Sequence, residues 1–351
     1  EFRRVLFRSV GSNGQTTTQL QARDQLDQLL NLLNTKADGR SLFSGRATDQ
    51  RAVVPTDTLL NGDGVRAGLK QVIDERRQAD LGASGLGRLV LGSPSSGAVS
   101  IAEDAVGSPF GFKIASITSD IAGATVSAPA GSPPAAGIDF SAATPQPGQS
   151  VSLTLNLPDG TTTTVKLTAT NASPPGAGEF TIGADAATTA ANLQSSLTSA
   201  LTGEAKTSLL AASAMTAGND FFNLDATHVP QRVAGPPFDT ATALTSSTSA
   251  DTVYWYTGEL ASGSARDSVT ARIDNQMSVN YGIRANEDGI RSLVQSVAVY
   301  AATSFDPADA TATNASGALV DRVRTAMSGS PSMQTIDEIA TDIGRDLVDR
   351  L

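Results

Sequence analysis

Apolar residues recur at helical spacing toward both ends of the chain and at strand spacing in its middle. Between Thr16 and Lys36, the residues Ala22, Leu26, Leu29 and Leu33 follow one another at intervals of four, three and four. That spacing puts them on one stripe of a helix, with Arg23, Asp24, Asp27 and Asn31 elsewhere on its surface. Leu30 and Leu32 widen the apolar face, and Asp38-Gly39 ends it. A second helix is predicted from Val65 to Leu81, with Leu69, Val72, Ile73 and Arg76 on one side and Asn61-Gly62-Asp63-Gly64 as its turn and cap. Toward the other end, Ser268–Ile273 and Met277–Tyr281 read as a hairpin around Asp274-Asn275. A helix follows from Asn286 to Ala302 with Ile290, Leu293, Val297 and Ala301 in heptad-like positions, and another from Ala315 to Met327. From near Ser332, Ile336, Ile339, Ile343 and Leu347 form one more stripe. The first and last stripes are expected to bury each other as a coiled-coil-like pair.

The middle of the chain alternates instead. Val151, Leu153, Leu155 and Leu157 are interleaved with Ser152, Thr154 and Asn156, Pro158-Asp159-Gly160 marks a turn, and Val165, Leu167 and Ala169 alternate with polar neighbours. This predicts a hairpin with one buried face. Phe112–Ile117 and Glu179–Ile182 read as further strands, Ala187–Leu201 (Ala190, Leu193, Leu197, Leu201) and Ser208–Phe222 as helices, and the Ala/Pro/Gly-rich run Ser127–Pro147 as a surface loop.

Charge sharpens the division. No arginine lies between Arg88 and Arg232, and that stretch holds three lysines against ten acids and eleven of the sixteen prolines. The fold class predicted is α+β: a discontinuous α-helical bundle of N- and C-terminal helices with a β-hairpin, residues 10–100 plus 235–351, carrying an inserted β-rich domain, residues 101–234. Residues 1–9 (EFRRVLFRS) match neither pattern and read as a translated sequencing adapter.

Composition removes whole classes of function. A net charge of −10 argues against nucleic-acid binding, which needs clustered Lys and Arg. With no cysteine and one histidine, thiolate chemistry, disulfides and Cys-based zinc sites are excluded, and a histidine triad has one candidate base. That residue, His228, follows Asp225 in an Asn/Asp-rich stretch without a Gly-x-Ser-x-Gly turn to supply a nucleophile, and a loop histidine is the better account. Asp63 and its glycines lack the spaced acids of a calcium loop. Gly82–Gly87 lacks the strand and Lys-Ser/Thr of a phosphate cradle. Val253-Tyr254-Trp255-Tyr256 reads as a strand packing where the chain re-enters the first domain rather than as a ligand platform. No apolar run reaches membrane-spanning length. No catalytic, cofactor-binding or metal residue is expected.

Two segments carry a family likeness. Leu32 to Gly45, ending in Leu42-Phe43-Ser44-Gly45, resembles the helix end and turn of hook–filament junction proteins. Ser278-Val279-Asn280-Tyr281-Gly282-Ile283-Arg284-Ala285-Asn286-Glu287 resembles the entry to their long C-terminal helix. The hairpin Ala271–Tyr281 is similar to a β-element of the same family, and Phe180–Gly183 with Ala190–Leu193 is similar to a small α/β motif of hook and filament proteins. The chain thus resembles the flagellin superfamily, most closely its hook-associated branch. The resemblance implies an exported, extracellular, non-enzymatic subunit that joins hook to filament by self-assembly. Its implied partners are a neighbouring hook-associated protein, flagellin, further copies of itself and an export chaperone, with neither nucleic acid nor membrane. Helix-packing and assembly residues would be Leu26, Leu29, Leu33, Ile290, Leu293, Val297, Ile336, Ile339, Ile343 and Leu347. The terminal helices with which such proteins polymerise are missing, which implies truncation at both ends. A filament flagellin and a secreted adhesin are the alternatives; no tandem β repeat of the adhesin kind is present.

Overall fold

The computed structural model describes residues 10–94, 96–274, 277–280 and 282–328. The chain is mixed α+β and divides into two compact units: Glu1–Asp74, Ala214–Arg232 and Thr245–Leu351 form the first, and Glu75–Ser213 with Val233–Leu244 the second. These divisions fall at other residues than the arginine gap. Arg76 and Arg88 both lie in the second unit, where each is buried against a carboxylate, Asp80 (2.8 Å) and Asp104 (2.7 Å). An arginine in a core ion pair carries no information about where a domain ends.

In the first unit, α1 (Thr17–Leu33) starts at a capping box: the Thr16 hydroxyl accepts the Gln19 N–H, and Gln19 Oε1 accepts the Thr16 N–H. Gln19 is fully buried because its Nε2 also donates to the carbonyls of Tyr300 (2.8 Å) and Thr303 (2.7 Å). These bonds tie the start of α1 to the end of α6 (Asp288–Ala302), so the two helices pack antiparallel. They also set the rotation of α1. The buried stripe is Gln19, Ala22, Leu26, Leu30 and Leu33; Leu29 is only half-buried and Leu32 is 61% exposed, contrary to the expected order of positions.

The expected stripe on α6 is displaced likewise. Ile290, Leu293 and Val297 are half-buried, and the covered positions are Val294, Ala298, Val299, Ala301 and Ala302. The cause is a second and a third neighbour. α6 packs on α7 (Ala312–Ser328) as well as on α1. It also meets α5 (Leu210–Phe222), where a Cβ on Gly218 would stand 2.3 Å from Val299 Cγ2. Ile336, Ile339, Ile343 and Leu347 lie outside the described residues.

A short helix, α2 (Thr56–Asn61), precedes α3 (Leu69–Leu81). Val65 is not part of α3 as expected; it is 83% exposed, in a turn whose Asp63 carboxylate accepts the Val65 and Arg66 N–H groups. Trp255 is fully buried: its Nε1 donates to the Phe222 carbonyl (3.1 Å), and its ring stands 5.2 Å from Phe222 and 6.0 Å from Tyr256. The segment around it is extended but joins no sheet, making single bridges from Tyr256 to Val53 and from Thr252 to Ala67. Rings closed off in this way are core and offer no platform to a ligand.

The second unit is built from two four-stranded sheets. One has the order β3 (Leu89–Leu91), β4 (Ala98–Glu103), β7 (Ala135–Asp139), β6 (Thr125–Ala130); the other β10 (Glu179–Thr181), β9 (Thr162–Thr170), β8 (Ser150–Asn156), β5 (Lys113–Ser119). β10 runs parallel to β9 and all the other pairings in these sheets are antiparallel. The alternation expected for β8 and β9 holds, with Val151, Leu153, Leu155, Val165, Leu167 and Ala169 all inward.

The run expected as a surface loop is instead mostly hairpin, β6 with β7. Ala136 and Ile138 are buried, and Gly137 is there because a Cβ would stand 2.8 Å from the Val99 carbonyl of the neighbouring strand. A strand made of small residues at close approach has the composition of a loop. α4 (Ala186–Glu204), capped by Asp185, lays Ala190, Leu193, Leu197 and Leu201 into the same core, as its periodicity predicts. A π-helical turn (Ala205–Leu209) continues it into α5.

Arg76 and Asp80 form a buried polar centre beside this core. Asp80 accepts the Gly111 N–H (2.8 Å), while Arg76 donates to the Pro109 carbonyl and lies over the Phe110 ring at 5.1 Å. Burial pushes the Asp80 carboxyl above its ordinary pKa, opposed by Arg76 and by hydrogen bonds from Gly111 and Ser213.

The rotation of α1 gives a direct test. Leu30→Ala should cost about 2–5 kcal/mol in denaturant unfolding, as expected for a filled core position, and Leu29→Ala less than half of that. Equal losses would contradict the observed stripe.

Candidate functional site

The two segments that carry the family likeness meet in the first unit. β1 (Lys36–Ala37) and β2 (Arg40–Ser41) make a tight ribbon after α1 and lead into Leu42–Gly45. The Ala285 N–H donates to the Phe43 carbonyl (2.9 Å), and the Gly45 N–H donates to that of Ile283 (3.3 Å). Ser44 and Arg284 form the antiparallel bridge between these bonds. A third strand of chain closes the other side: the Glu259 N–H donates to the Ser44 carbonyl (3.0 Å), and Glu259 Oε2 accepts the Arg46 N–H (3.0 Å).

Glycine is required at the turn. Gly45 has φ +62°, and a Cβ there would stand 2.6 Å from Glu259 Oε2 and 3.2 Å from Arg284 Cγ. Gly258 is equally confined, since its Cβ would lie 2.4 Å from the Tyr256 hydroxyl and 2.8 Å from Ser44 Cα.

Arg284 holds the clasp from inside. It is buried; its guanidinium donates to the carbonyls of Ala261 (2.6 Å) and Gly263, and its N–H to Glu287 Oε1 (2.9 Å). Glu287 in turn pairs with Arg266. The hydroxyls of Ser44 and Tyr256 are buried at this junction. Burial pushes the Tyr256 phenol far up; Arg284 opposes this, and Glu259 and Glu287 add to it. A phenol so held stays protonated at neutral pH. The arrangement's chemistry is that of a lock on backbone geometry.

Of the residues expected to matter, Ser44 and Gly45 are buried in the clasp, Phe43 is half-buried, and Leu42 is 47% exposed beside it. Leu26 and Leu33 lie in the α1 stripe, while Leu29, Ile290, Leu293 and Val297 flank the helix seam half-buried. The contributions of Glu259 and Tyr256 were missed, and nothing in the spacing of residues more than 200 positions from the turn signals them.

The other candidates are structural. The Asp225 carboxylate accepts the Thr227 and His228 N–H groups and bonds His228 Nδ1 at 2.8 Å, closing an exposed turn. Slight burial opposes it, but these donors hold the Asp225 carboxyl well below the carboxylate range. Gly87 has φ +66° and packs against Phe112 and Leu209, so Gly82–Gly87 is a turn fitted to the core. An open groove of about 420 Å³ in the second unit, between Pro175–Glu179 and the Ser195–Ala200 face of α4, holds one carboxylate, Glu179, already engaged by the Gly176 N–H. Among the described residues no three His, Cys, Asp or Glu side chains are grouped to hold a metal, and no helix is long and apolar enough to cross a membrane. Comparison with protein-family models, with curated proteins and with solved structures gives no match.

Gly45 tests the lock. Gly45→Ala should destabilise the chain by at least about 1 kcal/mol more than Gly39→Ala, because Gly39 (φ +77°) has the same backbone demand but open space around its Cβ position. Equal effects in thermal or denaturant unfolding would mean that the clasp is not tight.

Proposed function

We propose that this chain is a structural subunit of the bacterial flagellum, of the hook–filament junction (hook-associated protein 3) type, exported and working outside the cell. One observation carries the reading. The two segments that resemble the family, Leu42–Gly45 and Ile283–Glu287, are hydrogen-bonded to each other although about 240 residues of chain separate them. A likeness found twice in a sequence by accident has no reason to converge in space.

In this reading the first unit is the family's discontinuous helical domain and the second an inserted, β-rich outer domain. The subunit works by packing, without catalysis or cofactor. Assembly is heterologous, one surface of a copy against a different surface of the next. Its partners are a neighbouring hook-associated protein, flagellin, further copies and an export chaperone. A chain free of cysteine suits passage through an export channel unfolded. An outer domain poor in charge and rich in Ser and Thr suits a solvent-facing position.

The test is assembly. Expressed from a full-length clone and added to purified hooks with flagellin, the protein should bind hook ends and permit filament growth, seen by electron microscopy. Leu30→Asp in the α1 stripe should abolish this, and Thr154→Ser and Thr164→Ser on the outer sheet should leave it intact. Failure of the unaltered full-length protein to bind either hook or flagellin would contradict the reading.

A further inference from the structure

Six Asn-Gly or Asp-Gly pairs occur in the chain: Asn13-Gly14, Asp38-Gly39, Asn61-Gly62, Asp63-Gly64, Asp159-Gly160 and Asp288-Gly289. In such a pair the glycine nitrogen can close a five-membered ring on the preceding side-chain carbonyl carbon, since glycine has no Cβ to hinder the approach. The closure needs a free side chain, a free N–H and room for the backbone to turn.

The fold removes at least one of these at five of the six pairs. Asn13 Oδ1 accepts the Gln15 N–H (3.1 Å), and the Gly14 N–H donates to the Gly11 carbonyl (2.9 Å). The Asn61 amide donates to Asp57 (2.6 Å), and the Gly62 N–H to the Thr58 carbonyl (2.9 Å). The Asp63 carboxylate accepts the Arg66 N–H (2.8 Å), the Arg66 guanidinium (2.7 Å) and the Val65 N–H (3.2 Å), and these bonds hold its pKa at about 2. Asp159 Oδ1 accepts the N–H (3.1 Å) and hydroxyl (2.6 Å) of Thr161, and the Gly160 N–H donates to the Leu157 carbonyl (3.0 Å). Asp288 pairs with Arg291 (2.6 Å) in the first turn of α6, which ring closure would unwind.

Asp38-Gly39 is the exception. It forms the turn between β1 and β2, where Ala37, Asp38, Gly39 and Arg40 are all exposed. Among the described residues, no hydrogen bond or ion pair engages the Asp38 carboxylate or the Gly39 N–H. A Cβ added at Gly39 would meet nothing within 4 Å, so the chain there has room to rotate. Both residues lie at positive φ, +49° and +77°, a conformation that aspartate tolerates better than most side chains.

We propose that Asp38 is a site of spontaneous covalent modification, where the folded chain converts aspartate to isoaspartate through a succinimide. The Gly39 nitrogen bonds to Asp38 Cγ, and its proton leaves with the carboxyl hydroxyl as water. Water then opens the ring. Attack at Cγ restores aspartate. Attack at the Asp38 backbone carbonyl breaks its bond to the Gly39 nitrogen, so that the chain runs through Cγ and the α-carboxylate is free. No atom is gained or lost overall. The freed, exposed α-carboxylate is the group that a carboxyl methyltransferase using S-adenosylmethionine would methylate. The chain is one methylene longer in a turn built for two residues, which loosens the Ala37–Arg40 pairing. Nothing in this depends on the flagellar reading.

Ageing the full chain in warm, mildly acidic buffer tests it. Trypsin releases Ala37–Arg40 as a tetrapeptide. With time this peptide should split into two chromatographic forms of equal mass, and the new form alone should accept labelled methyl groups from S-adenosylmethionine and an isoaspartyl methyltransferase. Peptides holding the other five pairs should convert several-fold more slowly. In urea, where their hydrogen bonds are gone, Asp63, Asp159 and Asp288 should convert as fast as Asp38. Asp38→Asn should form isoaspartate several-fold faster than the unaltered chain, because an amide loses ammonia to the same ring more readily than a carboxyl loses water. No isoaspartate at Asp38 in the folded chain would overturn the proposal. So would equal conversion at Asp63 or Asp159 without urea, no gain at these positions in urea, or no acceleration in Asp38→Asn.

Discussion

The first unit depends on closing a very long loop. Phe43 and Ala285 must meet for the helices on either side to share a core, and bringing together residues about 240 positions apart costs roughly 5 kcal/mol of chain entropy beyond a constant, since the cost grows as (3/2)RT ln n. Two sets of contacts offset it. At one end of the α1–α6 pair, Gln19 is buried between its own capping box and the carbonyls of Tyr300 and Thr303. At the other, the backbone bonds of Leu42–Gly45 to Ile283–Ala285 are braced by Arg284 and Glu259. The apolar stripe of α1 lies between these two fixed ends, which is why its rotation is determined and why it buries Leu30 rather than Leu29.

The second unit is closed by different means. Its core is made of alternating strand positions and one helix face, and the residues at its tightest points are the smallest. Gly137 allows two strands to meet, Gly87 lets Phe112 and Leu209 in, and Asp80 with Arg76 fixes the chain at Pro109–Gly111. In the two units the buried side chains of Gln19, Arg284, Asp80 and Arg76 all bond to backbone.

The sequence was legible where period and burial agree. The alternation of Val151–Leu157 and the helical spacing of Ala190–Leu201 each face a single broad core, and both were read correctly. It misled where a helix has several neighbours. α6 meets α1, α5 and α7, so its covered arc is wider than one stripe and centred on Val294 and Ala298. It misled again at Ser127–Pro147, where small residues needed for close strand contact have the composition of a loop. The turn Leu42–Gly45 was visible as a motif, but its partners were not: Glu259 and Tyr256 reach it only through the fold.

Native-state hydrogen exchange of the Gly45, Glu259 and Ala285 amides tests the central claim most directly. If the clasp closes the first unit, these three amides exchange together and only as slowly as the amides of the α1 core, because opening one requires opening all. If they exchange at the rates of exposed turns such as Gly39, the clasp is not what holds the ends of the chain together.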